Sequence, residues 1–284
     1  MKTINFYKMT GAGNDFILFD RKENPEIRIT PDFASKICSR RFGIGADGIL
    51  VISDSGRYDF DLEYYNADGS NGSLCGNGAR CAIKYAESSG RMKNAGAEFM
   101  LNNKVYSGNL LNNGGIKFNF NDPGKLVTNL NVQGAGQLIK ASFVDTGAKH
   151  LIININDILE HPGNAASFYR ELDELPVKEI GKEIRYSDAF APEGVNINFI
   201  SISNGKVKIR TYEKGVEDET LACGTGCCAA AISISSINNI KPPINLHTRG
   251  GVVLAVDFTE TEENITGLSL IGPAEIIFKG EITI

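Results

Sequence analysis

One short element occurs twice in this sequence, and the repetition constrains the fold more than any other feature. "SLCGNGARCA" at 73–82 and "LACGTGCCAA" at 221–230 each place a cysteine before Gly-x-Gly and an alanine-rich run. Because alanine favours helix, both copies predict a cysteine at the N-terminus of a helix. The chain therefore builds one local structure at two places.

The segments that precede the two cysteines also correspond. "TGAGNDFILFD" matches "TGAKHLIININ", "GADGILVIS" matches "GVNINFISI", and "DLEYYNADGSNGSLCGNG" matches "KIRTYEKGVEDETLACGTG". Gly45 precedes Cys75 by 30 residues, and Gly194 precedes Cys223 by 29. Since both order and spacing are preserved, the two halves are interpreted as diverged copies of one unit.

A chain of 284 residues is long enough for two cores, and a turn cluster at 121–125 separates the two sets of strand-like runs. The last run, "AEIIFKGEITI", follows Gly272-Pro273 and is expected to pair with the first half. We therefore predict an N-terminal domain of residues 1–121 plus 273–284 and a C-terminal domain of residues 122–272.

Local signals place helices and turns within these halves. Thr30 followed by Pro31 predicts the start of a helix, and a second helix is predicted from 78 to a glycine end at Gly90. "NNGG" at 112–115 predicts a hairpin turn. In the second half, a helical segment is predicted over "NAASFYRELDEL" at 164–175.

Composition excludes several classes of function. The net charge is −5 and basic residues are dispersed, so nucleic acid and anionic membrane are poor partners. No segment approaches the roughly 18 apolar residues of a membrane span, and the first residues do not resemble a signal peptide. We expect a cytoplasmic protein, in which six cysteines stay reduced and act as thiols.

The two repeated cysteines, Cys75 and Cys223, differ in context from the other four. A helix N-terminus favours the thiolate and is expected to lower the cysteine pKa, and the adjacent glycines let a substrate carboxylate approach the backbone N–H groups. If the two halves face one another across a cleft, two thiols reach opposite sides of one carbon. Inversion of a stereocentre requires such a pair, one base and one acid.

Simpler interpretations account for the other candidates. Buried cysteine is usually a small apolar residue, and this is our interpretation of four positions: Cys38, Cys81, Cys227 and Cys228. A zinc site is not predicted, because paired C-x-x-C motifs are missing and the chain has three histidines. The glycine-rich "TGAGNDF" lacks the full pattern of a phosphate loop and is interpreted as a turn that positions Asn14.

With "GAGNDF", "GADG", "NADGSNGSLCGNGAR" and "YEKGVEDETLACGTG" in two similar halves, the chain resembles the diaminopimelate epimerase family over nearly its whole length. The resemblance implies an α+β fold of two pseudo-symmetric α/β domains, each a mainly antiparallel sheet curled around a central helix. It also implies interconversion of LL- and meso-diaminopimelate by two cysteines, without pyridoxal phosphate, metal or another cofactor, in lysine and peptidoglycan precursor biosynthesis. A homodimer is implied as well.

The resemblance assigns site residues by position. Cys75 and Cys223 match the two catalytic cysteines, and His150 and Glu213 match residues that assist proton movement at the thiols. The cradle for the substrate α-carboxylate falls on Gly76, Asn77, Gly224 and Thr225. The contacts to the distal amino-acid end of the substrate fall on Asn14, Asn66, Asn196, Glu213 and Lys214.

Four positions depart from the usual family pattern. Gly48 stands where many members have glutamine, Ala148 and Lys149 replace Asn-Pro, and Lys214 replaces arginine. Lysine keeps the charge but loses the bidentate fork that suits a carboxylate. Because the thiol pair is intact, these changes bear on the substrate rather than on the type of reaction.

Two other functions stay open from the sequence. A racemase of another amino acid would use the same thiol chemistry, although proline racemases carry a different motif at the first cysteine. A redox-responsive binding protein would use the two thiols as a reversible disulfide.

Overall fold

The computed structural model describes residues 3–72, 74–261 and 264–283. The chain forms two compact units, Met1–Asn119 with Ile271–Ile284, and Phe120–Leu270. The assignment of two epimerase domains with boundaries at 121/122 and 272/273 stays a prediction, and its terminal residues 1 and 284 lie outside the described residues.

The described residues of the N-terminal unit form hydrogen-bonded strands and two helices. Its strands are β1 (Thr3–Gly11), β2 (Asn14–Asp20), β3 (Gly48–Ser53), β4 (Phe60–Asn66), β5 (Gly96–Leu101), β6 (Lys104–Leu110), β7 (Ile116–Asn119) and β17 (Glu275–Thr283), and its helices are α1 (Pro31–Cys38) and α2 (Gly76–Ser88). The strand order is β17-β1-β2-β3-β4-β5-β6-β7, in which only β2–β3 and β4–β5 pair in parallel. Helix α2 contacts β17, β1 and β2 as well as β6 and β7, so the sheet curls around it.

The C-terminal unit repeats this plan. Its strands are β8 (Val127–Gly134), β9 (Gln137–Asp145), β10 (Lys149–Asn154), β11 (Asn196–Ser203), β12 (Lys206–Glu213), β13 (Asp218–Thr220), β14 (Ile244–His247) and β15 (Val253–Glu260), and its helices are α3 (Val177–Arg185) and α4 (Gly224–Asn238). Strand β16 (Ile265–Gly272) belongs to this unit up to Leu270. The order β8-β9-β10-β11-β12-β14-β15 has parallel pairs only at β10–β11 and β12–β14. Both sheets are mainly antiparallel, which confirms the predicted fold class.

Side-chain alternation separates the two faces of each sheet. In β11, Ile197 and Phe199 pack into a core with Ile184 of α3. Asn196 and Asn198 point to the other face, where the Asn198 side chain lies against the first turn of α4. Polar residues of the central strands therefore meet the helix that begins with a cysteine.

Several local predictions are confirmed. Helix α1 begins at Pro31, and the Thr30 hydroxyl accepts a hydrogen bond from the Phe33 N–H at 3.2 Å. Residues 112–115 form the turn of the β6–β7 hairpin. The last run returns as β17, which pairs antiparallel with β1 from one end to the other. Helix α2 begins at Gly76, two residues earlier than predicted.

The predicted helix over 164–175 is wrong. Residues 164–167 lie in turns, in which the Asn164 N–H donates to the His161 carbonyl, and Phe168 forms an isolated bridge with Leu159. Within this segment only Leu172–Glu174 form a 3₁₀ turn. The helix is α3, which starts just beyond Pro176. Glycine within a sequence disfavours a helix, so Gly181 argued against one here. The packing nevertheless requires glycine at this position, because a Cβ there would lie 2.5 Å from the Tyr212 Cβ.

Candidate active site

Cys75 is the N-cap residue of α2. Its backbone is extended, and its Sγ accepts a hydrogen bond from the Gly78 N–H at 3.4 Å. The thiol belongs to a half-buried residue, whereas Gly76 and Asn77 in the first turn are buried. A first helical turn leaves N–H groups without intrahelical acceptors, so the predicted carboxylate cradle lies directly beside the thiol.

A chain of hydrogen bonds ties Asn14 to this turn. The Asn14 amide nitrogen donates to Asp47 Oδ2 at 3.0 Å, and Asn14 Oδ1 accepts from the Asn77 amide. Asn77 Oδ1 in turn accepts from the Arg80 guanidinium at 2.7 Å. A carboxylate only accepts and a guanidinium only donates, so the two ends fix the orientation of both amides.

The carboxylate end of this chain belongs to a charged cluster. Arg40 forms ion pairs with Asp15 and Asp47, and Lys8 forms a second ion pair with Asp15. Burial acts to raise the pKa of Asp15, but hydrogen bonds from Arg40 and Lys8 outweigh it and lower this pKa to about 2. Asp15 is therefore ionised at any physiological pH, and the cluster holds Asp47 beside Asn14.

Asn66 and Gly48 are paired in the β3–β4 ladder. The Asn66 amide nitrogen donates to Ser70 Oγ at 3.0 Å, so this residue bonds to its own turn rather than to Asn14 or Asn77. A Cβ on Gly48 would lie 2.7 Å from both the Tyr64 ring and the Tyr65 carbonyl oxygen. The Tyr64 ring thus takes up the space that a side chain at position 48 would need.

Cys223 is the N-cap residue of α4, and its thiol is buried. Burial raises the pKa of Cys223 well above the ordinary value, and the negative charge of Glu213 raises it further. The Thr225 hydroxyl, 3.5 Å from Sγ, and the Gly226 N–H oppose this rise without cancelling it. The expectation of a lowered pKa is therefore wrong for Cys223, because desolvation outweighs the helix end.

Glu213 and Asn196 lie at neighbouring strand ends of the C-terminal unit. Glu213 Oε2 accepts from the Thr220 hydroxyl at 2.8 Å, which holds the carboxylate near Cys223. The Asn196 amide donates to the Lys149 carbonyl at 2.9 Å and accepts from the Lys214 N–H at 2.9 Å. Asn196 thus connects β10 to the end of β12, while the Lys214 side chain is exposed.

His150 is completely buried on β10. Its Nδ1 lies 3.1 Å from the Asn198 amide nitrogen, and Nε2 has no hydrogen-bond partner among the described residues. Burial lowers the pKa of His150 to about 3. Next to it, the exposed Lys149 forms an ion pair with Glu193.

The structure groups the predicted residues within each unit. Cys75, Asn77 and Asn14 meet in the N-terminal unit, and Cys223, Thr225 and Glu213 meet in the C-terminal unit. Thr211 donates a hydrogen bond to Asn198 Oδ1 at 2.9 Å. It is one of the further polar residues around these groups that were not predicted from sequence: Asp47, Arg40, Arg80, Asn198 and Thr211. One usable signal was the polar and apolar alternation of "NINFISI", which places Asn198 on the same face as Asn196.

The remaining four cysteines lie inside helices rather than at an N-cap position. All four are buried, and burial raises the pKa of Cys38 to about 11 and that of Cys81 further. Within the described ranges, no three His, Cys, Asp or Glu side chains come close enough to hold a metal ion. No helix in the described part of the chain combines the length and the apolar character that a membrane span requires.

Comparison with known proteins gives matches over nearly the whole chain. A family model described as diaminopimelate epimerase matches residues 6–116 and 142–277. The diaminopimelate epimerase of Aquifex aeolicus is 33% identical over 99% of this chain and 98% of its own length. That of Chlorobaculum tepidum is 35% identical over 97% of this chain and all of its own.

Solved structures with the same fold are more distant in sequence. The Bacillus anthracis phenazine biosynthesis protein of the PhzF family has a TM-score of 0.72 at 14% identity, with both chains fully covered. A probable proline racemase from Agrobacterium radiobacter has a TM-score of 0.68 at 12% identity, covering 99% of this chain and 93% of its own. At such identities the likeness concerns the fold alone.

Proposed function

Because the chain belongs to the diaminopimelate epimerase family, whose members are isomerases, we propose that it interconverts LL- and meso-diaminopimelate with Cys75 and Cys223 as the two acid/base groups. One observation above all supports the proposal. Each cysteine is the N-cap residue of the central helix of its unit, and the two units share one order of strands. Such a duplicated thiol is what a two-base inversion requires.

The proposed chemistry follows from the surroundings of each thiol. One cysteine thiolate removes the α-proton, and the other cysteine thiol returns a proton to the opposite face of the carbanion. N–H groups in the first turns of α2 and α4 stabilise the carboxylate, which becomes more negative as the α-proton leaves. In this proposal Gly76, Asn77, Gly224 and Thr225 form that cradle.

The elevated pKa of Cys223 indicates that its thiol is protonated when the proposed reaction begins. Burial and Glu213 both favour the protonated thiol, so Cys223 starts as the acid in one direction of turnover. In the opposite direction it must act as the base. Glu213 then accepts the proton of the Cys223 thiol before this step and returns it afterwards, as its position near the thiol permits.

The remaining parts of the proposal follow the family. No cofactor or metal takes part in the proposed reaction, and the substrate is a small amino acid. Asn14, Asn66, Asn196, Glu213 and Lys214 bind its distal end. The product serves lysine and peptidoglycan precursor biosynthesis, and we place the enzyme in the cytoplasm as a homodimer.

Proton exchange in D₂O tests the proposal directly. Reduced protein is incubated with LL-diaminopimelate, the α-proton is followed by NMR, and the stereoisomers are separated by chiral chromatography. We expect loss of the α-proton signal and appearance of the meso isomer. Cys75→Ala and Cys223→Ala should abolish epimerisation, whereas Cys38→Ala, which changes a buried cysteine of α1, should retain it. Full activity in either of the first two variants would contradict the two-base mechanism.

A second substrate is tested in the same assay, because Tyr64 fills the space beside Gly48. The family resemblance associates position 48 with binding of the substrate, so glycine packed against Tyr64 there bears on which amino acid is bound. Diaminopimelate, proline, lysine and histidine are therefore compared at equal concentrations. Preferred turnover of another amino acid would make the protein a racemase of that compound, and no exchange with any of them would favour the redox-responsive alternative.

A further inference from the structure

The amide of Asn198 has a fixed orientation. Asn198 is fully buried in β11, and its Nδ2 donates to the Leu151 carbonyl oxygen at 2.9 Å. A backbone carbonyl can only accept, so this contact requires the nitrogen rather than the oxygen at that position. The Asn198 Oδ1 correspondingly accepts from the Thr211 hydroxyl at 2.9 Å.

This orientation determines the tautomer of His150. The second N–H of the Asn198 amide faces His150 Nδ1 at 3.1 Å, so Nδ1 is the acceptor of that hydrogen bond. A neutral imidazole with an accepting Nδ1 carries its proton on Nε2. The assignment rests on the hydrogen-bond network and not on an observed hydrogen.

The Nε2–H group is then a buried donor without an acceptor in the described residues. Such groups are rare in folded proteins because an unpaired buried donor costs free energy, and they often mark functional positions. The network also adjoins the proposed site. A Cβ on Gly226 would lie 2.3 Å from Asn198 Oδ1 and 3.3 Å from the Cys223 Cβ, so the Asn198 amide packs against the first turn of α4.

We propose that Asn198 is a positioning residue that holds His150 as the neutral Nε2–H tautomer, and that His150 donates a hydrogen bond from Nε2 to a carboxylate of the bound substrate instead of moving a proton. The substrate part of this inference rests on the proposed function, while the tautomer part does not. In this proposal His150 is a hydrogen-bond donor, whereas the family resemblance implies that it assists proton movement at the thiols.

Electrostatics agree with the geometry. Burial alone accounts for the lowered pKa of His150, and no charged side chain in the described part of the chain contributes to that shift. The ring therefore stays neutral in the range where the enzyme is expected to work. A neutral ring with Nδ1 occupied by Asn198 has one group left for a ligand, the Nε2–H.

Nuclear magnetic resonance of the free protein tests the tautomer. Histidine is labelled with ¹⁵N, and long-range ¹H–¹⁵N correlations are recorded on reduced wild-type protein between pH 5 and 9. The chain has three histidines, and His150→Gln identifies the signals of His150. We expect the Nε2–H pattern without change over this range. An Nδ1–H pattern, or conversion to the doubly protonated ring within this range, would overturn the proposal.

Asn198→Asp tests the positioning role. An aspartate accepts from Nδ1–H, so it should convert His150 to the other tautomer or to the cation. We expect the NMR pattern to change and kcat/KM to fall about ten- to a hundredfold, the effect of losing one hydrogen bond to a charged group. Asn156→Asp, at an exposed position, is the matched control and should change neither. If Asn198→Asp folds and keeps the wild-type pattern, the proposal is wrong, and if it fails to fold, the wild-type spectra still decide.

Addition of meso-diaminopimelate tests the donor role. We expect the Nε2–H proton of His150 to move downfield when the substrate binds. An unchanged signal in a protein that turns the substrate over would contradict the donor role. Absence of both turnover and binding in the wild-type protein would count against the proposed function, while the tautomer result would be unaffected.

Discussion

Cys223 begins a helix, yet its thiol holds the proton more firmly than an ordinary cysteine. The helix end contributes a partial positive charge and a few oriented N–H groups, whereas burial removes the water that would stabilise a thiolate. The negative charge of Glu213 also disfavours the thiolate and so raises the pKa of Cys223 further. The protonation state of a cysteine at a helix N-terminus is therefore decided by its burial and its charged neighbours.

Removal of the Glu213 charge should lower the pKa of Cys223. In Glu213→Gln, alkylation of Cys223 by iodoacetamide should begin at a lower pH than in the parent protein, because the thiolate forms more easily. Mass spectrometry locates the label, and Cys75→Ser in both proteins removes competition from the other proposed thiol. Glu160→Gln, at an exposed position, should leave the profile unchanged. A shift to higher pH would contradict the electrostatic role of Glu213.

The chain of amides from Asp47 to Arg80 should also be measurable. Asp47→Asn replaces an obligate acceptor by a group that can also donate, so the Asn14 and Asn77 amides lose their fixed orientation. We expect kcat/KM for diaminopimelate to fall about tenfold, in keeping with one charged hydrogen bond. Most of the loss should appear in KM if the chain orients the amides for binding.

Asp122→Asn is the control for Asp47→Asn, because Asp122 is exposed and lies outside the site. Circular dichroism should show both variants folded. Wild-type kinetics in a folded Asp47→Asn protein would mean that the charged cluster serves stability alone.

At the scale of elements, sequence signals worked where the local chemistry is decisive. Thr30 with Pro31 marked α1, and the duplicated Cys-Gly motifs marked α2 and α4. Helix α3 was missed because its Gly181 is explained only by the Tyr212 ring on another element. Strands β14 to β16 were not predicted either. The hydrogen bonds that join Asn198 to His150 and Thr211 could not be predicted, because they depend on the register of the three strands β10, β11 and β12.

The packing beside Gly48 leads to a prediction about strand β3. Gly48→Ala should lower the free energy of unfolding by about 1–3 kcal/mol, the usual effect of overpacking, because its Cβ would clash with the Tyr64 ring and with a backbone carbonyl. Urea denaturation measures the change. Gly56→Ala is the matched control, since a Cβ at Gly56 meets no atom within 4 Å. Equal stabilities of the two variants would refute this account of the packing.

At the scale of the whole molecule, duplication gives each unit a cysteine at the same structural position but different surroundings. Asn14 in one unit and His150 in the other occupy corresponding places in the aligned halves. Asn14 is tied to the first turn of its helix through Asn77, whereas His150 is held by Asn198. The sequence predicts the equivalence of the two units, but the differences arise from burial and hydrogen bonding that only the folded chain defines.

Burial of neutral His150 should make the stability of the protein depend on pH in acid. Its pKa is 6.5 in an unfolded chain and about 3 in the folded one, so the unfolded state binds a proton first as the pH falls. The contribution is complete above pH 6.5 and is lost progressively towards pH 3, by at most about 1.4 kcal/mol for each pH unit. Asp15, with a pKa of about 2, loses its contribution only below about pH 4.

Between pH 6.5 and 4, the contribution of His150 to the stability therefore changes with pH while that of Asp15 does not. Urea denaturation at several pH values should show a flatter dependence in His150→Asn than in the wild-type protein. His161→Asn, which changes an exposed histidine, is the control and should retain the wild-type slope. If both variants lose the same slope, burial of His150 does not cause the acid sensitivity. If only His150→Asn loses it, the stability of the folded chain depends on the same neutral ring that we propose as a hydrogen-bond donor.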